Sequence, residues 1–178
     1  MQKNSKSTLN TTAASLLGFL HEQPMTGWDL LHTVRNRIGN FWSLTPSQVY
    51  REITVLIADG YITANDRGVR NKRLLSLTSK GREAFGLWIA QPPTEEIIRF
   101  PLLLSTFFSD HIEPKQLNEY IRLHEEAHRS RLKKYQQEYK ALVESDEQAK
   151  RGRLLALSFG IKYEKAALEW MKDAISGE

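Results

Sequence analysis

The chain has 178 residues, of which 40% are hydrophobic and 26% charged, a composition typical of a globular protein with one or two domains. It contains no cysteine, which excludes disulfide scaffolds, thiolate zinc sites and cysteine nucleophiles. No segment approaches the roughly 18 consecutive apolar residues of a membrane helix. The polar segment 1–10 lacks the apolar core of a signal peptide. We therefore expect a cytoplasmic protein that does not contact a membrane.

The excess of positive over negative charge is confined to the first half of the chain. Residues 1–93 carry 11 basic and 6 acidic residues, a net charge of +5, whereas residues 94–178 have a net charge of −1. A basic half next to a neutral but highly charged half predicts a polyanion-binding module joined to an assembly module.

The first half begins with three predicted helices. Apolar residues at helical spacing predict helices over Thr12–His21 and Trp28–Ile38. A third helix is predicted over Pro46–Asp59, since Thr45 is a suitable N-cap and Gln48 completes a capping box. Its predicted apolar stripe consists of Val49, Ile53, Leu56 and Ile57.

A hairpin follows the third helix. The strands Tyr61–Ala64 and Arg70–Leu77 flank a turn at Asn65–Gly68, and Thr78 caps a fourth helix that ends near Ala90. Three short helices, a two-stranded hairpin and a well-capped third helix predict a winged helix-turn-helix. In that fold the third helix enters the major groove of DNA.

Polar residues on the third helix, opposite its apolar stripe, are candidates for base contacts. Ser47, Gln48 and Arg51 lie towards its N-terminal end, where recognition helices contact base edges. Arg51 suits guanine and Gln48 suits adenine, while Tyr50 is placed to reach a phosphate. The hairpin supplies cations for the sugar-phosphate backbone: Arg67, Arg70, Lys72 and Arg73. The alternatives are that Gln48 only caps the helix, Arg51 is a solvated surface residue and the hairpin is a solvated charged turn.

Several segments that follow one another along residues 12–90 carry a family resemblance. They are Leu16–Leu20, Met25–Leu30, Phe41–Ser43, Ser47–Glu52, Leu56, Asp59–Ile62 and Leu77–Gly81. Together they resemble the PadR-type transcriptional regulators. Phe100–Phe108 and Gly160–Trp170 resemble the virulence-activator-like helical domain of one PadR subfamily. The resemblance implies a homodimeric winged-helix regulator of a palindromic operator, usually a repressor and sometimes an activator.

The second half of the chain is predicted to be helical. Pro101–Phe108, the most apolar segment, is expected to be a buried short helix, followed by helices over Pro114–Val143 and Asp146–Ile175. The last helix repeats apolar residues at coiled-coil spacing, with Glu164 as the one polar member: Leu154, Leu157, Ile161, Leu168, Met171 and Ile175. We expect these residues to form a homodimer interface, partly with Thr12–Leu20. The alternative is an intramolecular two-helix hairpin.

Residues 124–128 spell the HExxH motif of zinc proteases. No histidine follows His128 as a third ligand, and the surrounding helix is strongly charged, so we expect neither a metal site nor an enzyme. His124 and His128 are instead predicted to be polar members of a helix-packing face, on which residues recur every seven positions: Ile121, His128, Tyr135 and Leu142. Either histidine is a candidate partner for Glu164. Such a contact would fix the register of the two helices or make the dimer sensitive to pH.

The sequence thus predicts a mainly α-helical protein with an N-terminal winged helix-turn-helix. Residues 1–93 would bind double-stranded DNA and residues 94–178 would form the homodimer, placing two recognition helices about 34 Å apart on a palindromic operator. No cofactor is expected. Several aromatic residues either line a pocket for a small hydrophobic or aromatic effector or belong to the core: Trp28, Trp42, Phe107, Phe108 and Trp170. The alternative function is a protein-interaction adaptor that uses the winged helix without DNA.

Overall fold

The computed structural model describes residues 9–39, 41–67, 72–93, 95, 99–146, 148 and 150–176. The chain divides into two compact units, residues 1–95 and 96–178. The first unit contains helices α1 (Thr11–Glu22), α2 (Gly27–Ile38), α3 (Pro46–Ala58) and α4 (Ser79–Ile89) and strands β1 (Met25–Thr26), β2 (Ile62–Arg67) and β3 (Lys72–Leu77). The second contains α5 (Pro101–Phe107), a 3-10 turn (Ser109–His111), α6 (Pro114–Glu144) and α7 (Arg151–Ser176). The predicted mainly helical class is confirmed.

The core of the first unit is built around α1. Leu16 and Leu17 of this helix are fully buried, and they belong to one cluster with Leu30 of α2 and Val49 of α3. The chain's own core buries the large apolar side chains of α1, and the predicted part of α1 in dimerisation stays a prediction. Ile57 was predicted in the α3 stripe but is exposed, since it lies at the edge of that stripe.

The sheet has three antiparallel strands in the order β1-β3-β2, where the sequence predicted two. The additional strand, β1, pairs Met25 with Leu75. A two-residue strand that pairs far along the chain leaves no alternating pattern to detect, so it was missed. The sheet meets α4 at Gly81, where an added Cβ would lie 2.2 Å from the carbonyl oxygen of Tyr61. Only glycine permits this approach.

The second unit is an antiparallel hairpin of α6 and α7 with α5 against one end. The predicted seven-residue spacing on α6 is confirmed, because its buried residues are Ile121, His128, Tyr135 and Leu142. Gly160 of α7 admits the Tyr135 ring, which approaches the site of an added Cβ to 3.1 Å. The structure therefore contains the intramolecular hairpin that the sequence left as an alternative. Helix α7 begins at Arg151 rather than near Asp146.

Helix α5 lies where it was predicted, but its predicted burial is wrong. Leu102 is buried against Ile121 and Met171, whereas Phe107 is 80% exposed and Phe108 also faces solvent. A seven-residue helix can bury only one side against the hairpin, so an apolar composition on all sides leaves the rest exposed. None of the helices in the described ranges is both long and apolar enough to cross a bilayer.

Candidate nucleic-acid interface

The start of α3 is fixed by the predicted capping box. The Gln48 amide nitrogen donates to Thr45 Oγ1 at 3.2 Å, and the Thr45 amide nitrogen donates to Gln48 Oε1 at 2.8 Å. These reciprocal bonds satisfy backbone donors that an uncapped helix would leave open. The side-chain oxygen of Gln48 is therefore engaged in the cap, and its predicted role towards adenine remains a prediction.

The exposed face of α3 is centred on Arg51. Ser47 and Arg51 both face solvent, one helical turn apart. Within the part of the chain that the structure describes, the Arg51 guanidinium has no hydrogen bond or ion pair. An arginine with no partner in its own chain can form two parallel bonds to guanine without first breaking an internal contact.

Tyr50 lies beside this face, where α3 meets α2. A Cβ added to Gly27, the first residue of α2, would lie 2.9 Å from Tyr50 Cε1. The absence of a side chain at Gly27 thus allows the ring to rest on the start of α2. Tyr50 is nevertheless 46% exposed. This placement is compatible with the predicted phosphate contact, which stays a prediction.

Asn10, which the sequence analysis did not single out, connects α1 to α3. Its Oδ1 accepts from the Ala13 amide at 2.8 Å, and its Nδ2 donates to Glu52 Oε1 at 3.1 Å. A cavity of about 330 Å³ opens beside this link, lined in part by Trp42 and Arg51. The preference of asparagine for N-caps signals the first bond, but nothing local signals the second.

The structure locates only part of the predicted basic hairpin. Arg67 pairs with Lys72 in the strand register, and the exposed Arg73 pairs with Asp66. Arg70 lies outside the described residues, as do the side chains of Arg67 and Lys72. Contact of the hairpin with the DNA backbone remains a prediction.

A buried ionic cluster lies between α6 and α7. His128 Nδ1 contacts Glu164 Oε2, and both residues are only 2% exposed. Arg131 Nε donates to Glu164 Oε1 at 2.8 Å. The predicted contact is thus present for His128. Of the two candidates it is His128 that meets Glu164, because His124 lies one turn away and is exposed.

Burial governs protonation within this cluster. Desolvation lowers the pKa of His128, against the opposing effect of its bond to Glu164, and the Arg131 charge lowers it further. Burial likewise raises the pKa of Tyr135 to about 12. Burial therefore favours the neutral form of the His128 ring, and the bond to the Glu164 carboxylate requires Nδ1 to carry the hydrogen.

We expect the protein to lose stability as the pH falls from 7.5 to 5.5. The lowered pKa of His128 means that the unfolded chain binds more protons. The contribution of His128 to stability is complete above its pKa in the unfolded chain, about 6.5. This contribution is lost as the pH falls through the lower pKa of the folded state. Urea unfolding at both pH values measures the change. A His128→Gln variant should show a smaller fall, and an equal fall would contradict this assignment. Part of the fall remains in the variant because burial and Arg82 also lower the pKa of His21.

Two of the residues predicted for the homodimer interface, Met171 and Ile175, pack in the core of the second unit. Met171 is fully buried against Leu102 and Ile121 within the chain, and its predicted role in the interface stays untested. The others are half-buried and their role stays untested: Leu154, Leu157, Ile161, Leu168 and Ile175. Chain connectivity brings α6 and α7 together, which gives these positions a partner within the chain.

A different side of α7 is exposed and apolar. Leu155, Phe159 and Tyr163 lie one turn apart and face solvent, and the rings of Phe159 and Tyr163 stack with centroids 6.5 Å apart. We call these three residues the outer α7 face. Apolar residues recur at helical spacing on both this side and the buried side of α7, so spacing alone did not reveal the outer α7 face.

The aromatic residues considered for an effector pocket have different surroundings. Trp42 packs against the core of the first unit and Trp170 against that of the second. Trp28, Phe107 and Phe108 are exposed. Among the described residues, no group of three or more potential ligands is arranged to hold a metal ion.

Comparison with known proteins agrees with this geometry. Residues 16–87 match the model of the transcriptional regulator PadR-like family, and residues 98–177 match the virulence activator alpha C-terminal domain. The negative transcriptional regulator PadR of Bacillus subtilis is 23% identical over 171 residues, which cover 91% of this chain and 94% of the relative.

Solved structures share the fold over nearly the whole chain. B. subtilis PadR in complex with operator DNA matches with a TM-score of 0.80 at 22% identity, covering 96% of this chain and 99% of that one. The same protein in complex with p-coumaric acid matches with a TM-score of 0.69 at 21% identity, covering 95% and 97%.

Fold and interface together define a winged helix-turn-helix protein with a helical C-terminal unit. The chain contains a domain of the PadR-like family of transcriptional regulators over residues 16–87 and a C-terminal domain of the virulence activator type over residues 98–177. It is accordingly a transcriptional regulator and not an enzyme.

Proposed function

We propose that the protein is a homodimeric repressor that binds a palindromic operator through α3. The observation that carries this proposal is the exposed face of α3, which is held by a capping box and centred on an Arg51 without a partner in the described chain. The structure of B. subtilis PadR with operator DNA supports it, as does the printed description of that relative as a negative regulator. In this role the protein would act in the cytoplasm, with the chromosome.

Residues 1–93 would form the DNA-binding part. Arg51, Ser47 and Gln48 would discriminate bases, and Tyr50 would contact phosphate together with the hairpin cations Arg67, Arg70, Lys72 and Arg73. Discrimination and salt-dependent affinity would then reside in different residues. The excess positive charge of this half favours such a division.

Selection from a randomised duplex library at two salt concentrations tests the proposal. We expect enrichment of one pseudo-palindrome, with half-sites about one helical turn apart and binding that weakens steeply with salt. Salt-dependent retention without enrichment would contradict sequence-specific regulation. Absence of binding at either salt concentration would favour a protein-interaction adaptor.

Residues 94–178 would form the dimer. The outer α7 face supports this, because three large apolar side chains on successive turns expose a continuous patch that a second copy would cover. The half-buried positions predicted from the sequence, such as Leu157 and Ile161, would lie at its edge.

We expect Phe159→Glu to dissociate the dimer, because it places a charge in an apolar interface. Phe159 is 67% exposed in the single chain, so the substitution should leave the fold intact. Sedimentation velocity would show a shift from dimer to monomer. Lys165→Glu, an exposed change on another side of α7, should remain dimeric. If the Phe159 variant remained a dimer, the outer α7 face would be excluded as the dimer interface.

We further propose that a small aromatic compound regulates DNA binding. The support is the structure of B. subtilis PadR with p-coumaric acid. Titrating p-coumaric acid into the complex with operator DNA tests this. Release of DNA, with a rise in the thermal unfolding midpoint of the free protein, is expected. If p-coumaric acid caused neither change, a response to this class of compound would be contradicted.

A further inference from the structure

The exposed face of α3 changes character along its length. On the N-terminal side of Arg51 it presents Ser47 and Gln48, whose side chains are polar. On the C-terminal side it presents Thr54 and Val55, and Val55 is 45% exposed. At 100° per residue both lie within about 60° of Arg51, so they share its face.

Thr54 presents a methyl group on this face. Its Oγ1 donates to the carbonyl oxygen of Tyr50 at 3.0 Å, so the hydroxyl is turned back onto the helix. The remaining branch of the side chain is a methyl group. Val55 adds two more, and the exposed Ala58 follows one turn after Thr54. The C-terminal half of the face therefore offers methyl groups, while its one hydroxyl, that of Thr54, is bonded to the helix backbone.

Thymine is the base whose major-groove edge carries a methyl group, and threonine and alanine methyls are among its usual contacts. We infer that Thr54 and Val55 recognise thymine methyl groups in the operator, which rests on the proposed function of α3. Val55 lies about 6 Å along the helix from Arg51, against about 3.4 Å per base pair. The recognised thymine is thus about two base pairs from the guanine that Arg51 contacts.

Deoxyuridine, which lacks only this methyl group, provides the test. Each thymine of the selected operator is replaced in turn, and the Kd of the full-length protein is measured at one salt concentration. Loss of one buried methyl contact is expected to weaken binding about threefold to tenfold. We expect this loss at one or two thymines in each half-site, and near-neutral replacement elsewhere.

Variants assign the methyl contact to a side chain. Val55→Ala and Thr54→Ser each remove methyl groups, and Thr54→Ser keeps the hydroxyl that bonds to Tyr50. At least one of these two variants should bind the operator and the duplex with deoxyuridine at the sensitive position with equal Kd. Ile57→Ala is the matched control, because Ile57 is apolar and partly exposed on the same helix but lies about 120° from Arg51. This control should still bind the thymine duplex more tightly than the deoxyuridine duplex.

Two outcomes would overturn the inference while leaving the proposed function intact. The wild-type protein could bind every deoxyuridine duplex as tightly as the selected operator. Alternatively, both variants could keep the full difference, which would assign the methyl contact to another side chain. Failure of the wild-type protein to select any duplex would instead remove the proposed function itself.

Discussion

Arg51→Ala should weaken binding to the operator by about 1–3 kcal/mol, roughly five- to 150-fold. The structure gives the reason, because the guanidinium is exposed at the centre of the α3 face and has no partner among the described residues. Binding to random DNA should weaken much less, since phosphate contacts from other cations persist. Fluorescence anisotropy with both duplexes at one salt concentration measures the ratio of the two affinities.

Arg122→Ala is the matched control for this prediction. It removes the same charge from an exposed position on α6, outside the proposed DNA-binding part. Both affinities should be nearly unchanged in this variant. Equal losses on operator and random DNA for Arg51→Ala would mean that Arg51 contacts only phosphate.

The second large effect is expected on stability. Glu164→Ala should lower the free energy of unfolding by about 3 kcal/mol, because it removes the acceptor shared by the buried His128 and by Arg131. Glu164→Gln keeps an acceptor and should cost less. Urea unfolding at pH 7.5 and one protomer concentration provides the measurement.

Glu144→Ala serves as the comparison. Glu144 forms an exposed pair with Lys140 at 3.9 Å, and such pairs contribute less than about 1 kcal/mol. If Glu164→Ala cost no more than Glu144→Ala, the buried cluster would not contribute to the stability of the hairpin.

Short-range features were predictable for physical reasons. The capping box of Thr45 and Gln48 depends on residues three positions apart, so the chain alone predicts where α3 begins and which residues face outwards. The same holds for the exposure of Arg51 and for the spacing of Ile121, His128 and Tyr135. Periodicity indicates that a helix face is buried, but it does not name what covers that face.

The partners of those faces depended on the tertiary structure. The sequence assigned Met171 to a second copy of the chain, whereas the hairpin covers it with α6. The link from Asn10 to Glu52 and the two-residue strand β1 likewise join positions far apart, which no local pattern signals.

The sequence by itself determined the approximate extents of the helices, the cap of α3 and the residues presented by α3, because these follow from interactions within a few positions. Only the tertiary structure decided that His128 rather than His124 meets Glu164, and that the apolar side chains left exposed on α7 are Leu155, Phe159 and Tyr163. Both depend on the rotation of α7 against α6, which packing around Gly160 and Tyr135 sets.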